Sequence, residues 1–266
     1  MSEFIEIGWR GRPLRLEVQW VGDPHSATPT IVFLHEGLGS VAMWKDFPAR
    51  FCTDHGFRGL LYSRYGYGRS TPKPVDERWT PAFMHAQAHD VLPALLAQLG
   101  IVRPWLFGHS DGGSIALLHA ARHDVTGIVV VAPHLFVEEV SIRSIEAARE
   151  AYETTDLRAR LARYHDDPDS AFRGWNDIWL DPAFGAWNIQ AELASIRCPV
   201  LAVQGVDDEY GTLAQIRGIA AMLPKTRLLE IPKCGHSPHR DQPEQLADAA
   251  AGFIREHTPS SSSSSS

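Results

Sequence analysis

Short apolar runs alternating with helical patterns constrain this chain more than any other feature of its sequence. The runs, at residues 30–34, 59–62, 105–107, 127–131, 199–203 and 227–231, each end at a turn signal and read as buried strands. Between them, residues 84–99, 114–122 and 212–223 carry apolar side chains at three- and four-residue spacing, the pattern of a helix with one buried face. Regular alternation of the two predicts an α/β fold with a mostly parallel, doubly wound sheet covered on both faces. Such sheets bind ligands beyond the carboxyl ends of their strands, so the chemistry is expected in the loops that follow them.

The alternation stops after Pro133. From about residue 135 to 193 no strand pattern occurs; charge-patterned helical stretches at 144–154 and 156–165 precede a segment rich in Trp and Phe. This predicts a helical cap at 135–194, inserted into a single core made of 1–134 and 195–258. A chain of 266 residues suffices for one large core and such an insertion. The closing serine run, 259–266, has nothing apolar to bury and is expected to be disordered.

One loop carries most of the chemical information. Gly108-His109-Ser110-Asp111-Gly112-Gly113 lies between the strand at 105–107 and a helical pattern that starts at Ser114, the setting of a nucleophile elbow. A serine on so tight a turn needs flanking positions without side chains, which Gly108 and Gly112 supply. The turn also puts Ser110 at a helix N-terminus, whose free N–H groups favour developing negative charge. Serine is a poor nucleophile until a histidine takes its proton and a carboxylate fixes the tautomer of that histidine. Two later loops, each after a strand, supply both: residues 204–211 with Asp207 and Asp208, and residues 232–238 with His236. Position singles out His236 among 13 histidines, with His239 its nearest rival. His109, inside the elbow, is expected to pack or hydrogen-bond locally, and His35 to support the loop after the first core strand.

Charge and cysteine content narrow the class. With 25 Lys and Arg against 32 Asp and Glu, the chain has no basic field for nucleic acid or an anionic membrane, so a small molecule is the expected substrate. Cys52, Cys198 and Cys234 are odd in number and widely spaced, which suggests neither a disulfide framework nor a zinc site. Residues 1–12 lack a secretory leader pattern, and no apolar run is long enough for a membrane span. A cytoplasmic chain is expected, needing neither metal nor organic cofactor, with a homodimer left open.

Jointly these motifs resemble the α/β-hydrolase superfamily, in its small, cap-bearing esterase and C–C hydrolase branch, over about residues 30–253. His35-Glu36-Gly37-Leu38-Gly39-Ser40 is similar to the family's His-Gly oxyanion loop, and residues 63–70 to its Asp-x-Arg-Gly-x-Gly-x-Ser segment. Gly205-Val206-Asp207-Asp208 resembles its Gly-x-x-Asp acid turn, which points to Asp208, with Asp207 as the alternative. The resemblance implies a catalytic triad of Ser110, Asp208 and His236, and an oxyanion hole formed by the backbone N–H of Asp111 with that of Gly37 or Leu38. Two positions depart from the pattern. Ser63 stands for an aspartate in a structural loop, and Glu36 stands for a glycine beside the oxyanion hole. A carboxylate there opposes the developing charge unless it points away, pairs with a cation or is protonated, and one of the first two is expected.

Trp44, Trp175, Trp179 and Trp187 are candidates to line an apolar acyl or aryl pocket. The plainer reading is that such rings pack the cap onto the core. Asn176, Asp177 and Asn188 read as helix caps before substrate anchors. The expectation is a serine hydrolase that cleaves an ester of a small apolar or aromatic substrate through an acyl-enzyme. C–C bond hydrolysis of a dioxo acid, thioester or lactone cleavage, and ligand sensing with slow turnover are the alternatives on the same scaffold.

Overall fold

Five of the six apolar runs become the middle of a sheet, and the run at 227–231 becomes its edge strand. The computed structural model describes residues 2–258, and the serine run expected to be disordered lies outside the described residues. Its strands are β1 (Glu3–Trp9), β2 (Arg12–Gly22), β3 (Ile31–Leu34), β4 (Arg58–Tyr62), β5 (Trp105–His109), β6 (Gly127–Val131), β7 (Val200–Gly205) and β8 (Arg227–Ile231). They form one sheet in the order β1-β2-β4-β3-β5-β6-β7-β8. Pairing is parallel from β4 through β8, with registers such as Phe33 opposite Phe107 and Val131 opposite Val203.

Side chains alternate across a strand, and here both sides are buried. Val32, Leu34, Leu106, Ile128 and Val130 enter one core, while Phe33, Trp105, Phe107, Val129 and Val131 enter the other. That is why these strands read as unbroken apolar runs. The helices Leu92–Gln98, Asp111–Ala120 and Ala214–Met222 cover the first face, and Phe47–His55 and Pro243–His257 the second.

The sequence reading placed no strand before residue 30, yet β1 and β2 form an antiparallel hairpin, and β2 pairs antiparallel with β4. In β2, buried Leu14 and Leu16 alternate with the charged Arg15 and Glu17, so no apolar run announces the strand. The hairpin turns on Arg10 and Gly11, both at positive φ, 48° and 74°. Ser63, the departure from the aspartate pattern, is explained by the same hairpin. Its hydroxyl donates to the Glu17 carboxylate at 2.8 Å and accepts the Val41 N–H at 2.9 Å, so the carboxylate comes from β2.

Between β6 and β7 the chain forms the helices Glu139–Thr154, Leu157–Leu161, Pro168–Trp179 and Gln190–Leu193. Pro168–Trp179 starts with Asp167 accepting the Ser170 N–H at 2.9 Å and with Pro168 in its first turn. Ala171, Phe172, Trp175, Ile178 and Trp179 then form the buried stripe that meets the core. Among the described residues, no helix is long and apolar enough to cross a membrane.

Candidate active site

Backbone strain and close approach build the elbow. Ser110 sits at φ 53°, ψ −121°, between the end of β5 and the helix Asp111–Ala120, a conformation that an L-residue holds only when its surroundings impose it. The Ser110 N–H donates to the Val131 carbonyl at 2.9 Å, and the Ser110 carbonyl accepts from Gly113 and Ser114. A Cβ on Gly108 would lie 2.3 Å from the Gly112 oxygen, and one on Gly112 only 2.0 Å from the Leu34 oxygen. Glycine is the only residue either position accommodates.

The three post-strand loops meet above this turn. His236 Nε2 lies 2.9 Å from Ser110 Oγ, and its Nδ1 lies 2.9 and 3.0 Å from the two Asp208 oxygens. Asp208 is in turn held by the Tyr210 N–H at 2.8 Å and the Gln204 side-chain amide at 3.1 Å. Burial works to raise the Asp208 carboxyl, but His236 and the Tyr210 N–H outweigh it and hold it below the usual carboxylate range. Asp207 is exposed, with its own N–H donating to the Cys234 carbonyl, so it is Asp208 that faces the histidine. His239 is buried against Trp44 and His109 instead.

Gly37, Leu38 and Asp111 border the same cavity as Ser110. As the first residue of its helix, Asp111 has no carbonyl four residues back for its N–H. The loop carrying Gly37 and Leu38 is fixed from behind. His35 donates through Nδ1 to the Glu36 carbonyl at 2.7 Å and accepts the Arg64 N–H at Nε2. The buried Arg64 guanidinium donates to the carbonyls of His35 and Glu36. His165, from the insertion, accepts the Gly68 N–H and reaches the Leu38 carbonyl at 3.2 Å. Glu36 bends back toward the elbow, its Oε2 3.5 Å from His109 Nδ1.

The cavity measures about 320 Å³. Trp175 and Trp179 form part of its wall, as expected, and Trp179 Nε1–H donates to Asp111 Oδ1 at 3.2 Å. Burial pushes the Asp111 carboxyl up to about 6, against the pull of Arg64, and burial takes the His134 ring, 4.8 Å from Trp179, down to about 3.

The other two tryptophans correct the expectation. Trp44 ends a single helical turn, Ala42–Trp44, that drives its ring under the sheet against Phe33 and Phe107. It borders a separate surface groove with Lys45, Phe47 and Arg240. Trp187 stacks on Phe184, 5.2 Å away, and backs Trp179 from outside the cavity. Asn176 and Asp177 are neither caps nor cavity residues: Asn176 bridges Arg149 and the Ile145 carbonyl, and Asp177 pairs with Arg78. Asn188 does cap locally, accepting the Gln190 N–H.

Sequence reasoning missed Met43, His134, Leu157, Glu209 and Tyr210 in the cavity wall. Glu209 and Tyr210 directly follow Asp208, which was the available signal. Glu209 accepts the His236 N–H at 3.1 Å, and the Tyr210 ring lies 4.8 Å from that of His236.

The chain is similar to 2-succinyl-6-hydroxy-2,4-cyclohexadiene-1-carboxylate synthase of Salmonella typhimurium, at 25% identity over 86% of this chain and 94% of that protein. It is also similar to the sn-1-specific diacylglycerol lipase ABHD11 of Mus musculus, at 25% identity over 91% and 86% of the two chains. A thermophilic esterase from Thermogutta terrifontis superposes with a TM-score of 0.71 at 19% identity, over 97% of this chain and 100% of the other. The Alpha/beta hydrolase family profile matches residues 31–249, from the first residue of β3 into the last helix. With sheet order, elbow and profile in agreement, the chain belongs to the alpha/beta hydrolase family.

Proposed function

We propose that this protein is a serine hydrolase that cleaves an ester of a small apolar or aromatic acid through an acyl-enzyme. The observation that carries this reading is the continuous Asp208–His236–Ser110 contact, 2.9 Å at each link. Ser110 Oγ attacks the carbonyl carbon as His236 Nε2 takes its proton. The N–H of Asp111, with that of Gly37 or Leu38, holds the tetrahedral oxyanion. His236 then protonates the departing alcohol and activates the water that releases the acid. Asp208 keeps the proton of His236 on Nδ1 and stabilises the imidazolium without itself being protonated. A cavity of about 320 Å³ with Leu38, Met43, Leu157, Trp175 and Trp179 in its wall supports a compact apolar acyl group. The lipase and the esterase among the similar proteins are in line with ester chemistry.

The test is labelling with a fluorophosphonate and turnover of p-nitrophenyl esters from acetate to decanoate, with Ser110→Ala as control. Labelling and a short-chain optimum, both abolished in Ser110→Ala, are expected. Labelling that persists in the variant removes Ser110 as nucleophile. Intact labelling with no turnover of any ester transfers the same three residues to C–C, thioester or lactone cleavage.

A further inference from the structure

Glu36 stands beside the oxyanion loop, and hydrolysis as proposed gives it no task. Its Oε2 lies 3.5 Å from Nδ1 of His109, whose side chain is 1% exposed. The other nitrogen of that ring, Nε2, lies 2.7 Å from the backbone carbonyl of His236. A carbonyl only accepts, so Nε2 carries a proton. If the ring held that proton alone, its Nδ1 lone pair would face a carboxylate in a buried site. Two acceptors so placed repel, and a proton on Nδ1 turns the repulsion into an attraction.

We propose that Glu36 and His109 form a carboxylate–imidazolium pair that positions His236 through its backbone and neutralises the carboxylate beside the oxyanion hole. Both are positioning residues; neither need touch substrate. The pair thereby ties the loop of the base to the loop of the oxyanion donors.

The surroundings leave His109 as the direct counter-ion. Burial disfavours ionisation of Glu36, but His109 is the largest influence against it, and the carboxyl is held well below its usual range. His35 and His239 are driven neutral, chiefly by burial. His165, from the insertion, is likewise taken down to about 4 by burial. The Arg64 guanidinium is engaged by the His35 and Glu36 carbonyls behind the loop. The remaining titratable and charged groups here are the His236 ring, 5.1 Å from that of His109, the Asp111 carboxyl, His134, which burial takes down to about 3, and Glu209 and Arg240, which border the same cavity.

Nitrogen-15 NMR of the histidine rings tests the pair without substrate. Both His109 nitrogens are expected to be protonated near neutral pH in the native protein, and Nε2 alone in Glu36→Gln. A neutral His109 ring in the native protein, or an imidazolium that persists in Glu36→Gln, overturns the proposal. The kinetic arm rests on the hydrolase reading above. With p-nitrophenyl acetate, Glu36→Ala is expected to lower kcat about tenfold with KM nearly unchanged, the loss of one modest positioning interaction. Glu36→Gln should recover most of that rate, because its amide N–H donates to a neutral Nδ1. Equal losses in both variants also overturn it. If no ester is turned over but His109 is doubly protonated, the pair stands and only the ester reading falls.

Discussion

The loops that close the parallel sheet and the helical insertion beside them hold their side chains at the candidate site by different means. Ser110 is pinned by a backbone hydrogen bond to β6 and by two glycines that admit no Cβ, and Asp208 and His236 sit in loops that directly follow β7 and β8. Trp175 and Trp179, in contrast, reach the cavity from one face of Pro168–Trp179 and are held by packing on Phe172, Phe184 and His134. The insertion is tied to the acid loop by two hydroxyls, those of Ser141 and Ser144, on the carbonyls of Tyr210 and Glu209. A rigid frame thus carries the proposed chemistry, and repackable rings carry the shape of the pocket.

Substitutions in the two regions should separate rate from shape. Ser110→Ala is expected to have the largest effect, a loss of about 10⁶-fold in kcat by analogy with triad knockouts, measured by ester turnover and fluorophosphonate labelling. Asp208→Asn should cost about 10⁴-fold in kcat by misplacing the His236 tautomer. Asp207→Asn, one residue away and exposed, should leave kcat unchanged, and a large loss there would reverse the choice of acid.

In the insertion, Trp179→Ala and Trp187→Ala each remove a buried ring, and each should lower stability by about 3–5 kcal/mol in urea denaturation. Only Trp179 lines the cavity, so only its loss should move the ester optimum toward longer acyl chains. A shift in both would mean that Trp187 shapes the pocket through Trp179.

A smaller effect on stability is expected where the two regions touch, at Asp111 under Trp179. Its folded-state value of about 6 is raised above the unfolded 3.8, so the native state favours the protonated acid. Stability is therefore full below about pH 4 and falls as pH rises to about 6, by about 3 kcal/mol for two pKa units. Asp111→Asn does not titrate. Its stability relative to the native protein should rise by about 3 kcal/mol between pH 4 and 7, measured by denaturation at each pH. Parallel curves would show that Asp111 stays ionised throughout.

Legibility in the sequence divides along the same line. Strands buried on both faces announce themselves as apolar runs, and 127–131 coincides with β6. The amphipathic hairpin β1–β2 left no such run, because half of its side chains face water or, like Glu17, serve a distant loop. Ser110 and His236 were legible because an elbow and a post-strand loop are local: a few adjacent residues dictate them.

What the sequence determined by itself was the alternation of core strands and helices and the post-strand loops that carry Ser110, Asp208 and His236. Tertiary structure decided which of two adjacent aspartates faces His236, and which tryptophans line a cavity rather than pack a core. It also decided what answers the charge of Glu36. These depend on where a side chain points after one turn of backbone and on partners far away in the chain. His109 lies more than seventy residues beyond the Glu36 it faces, and no local pattern encodes that meeting.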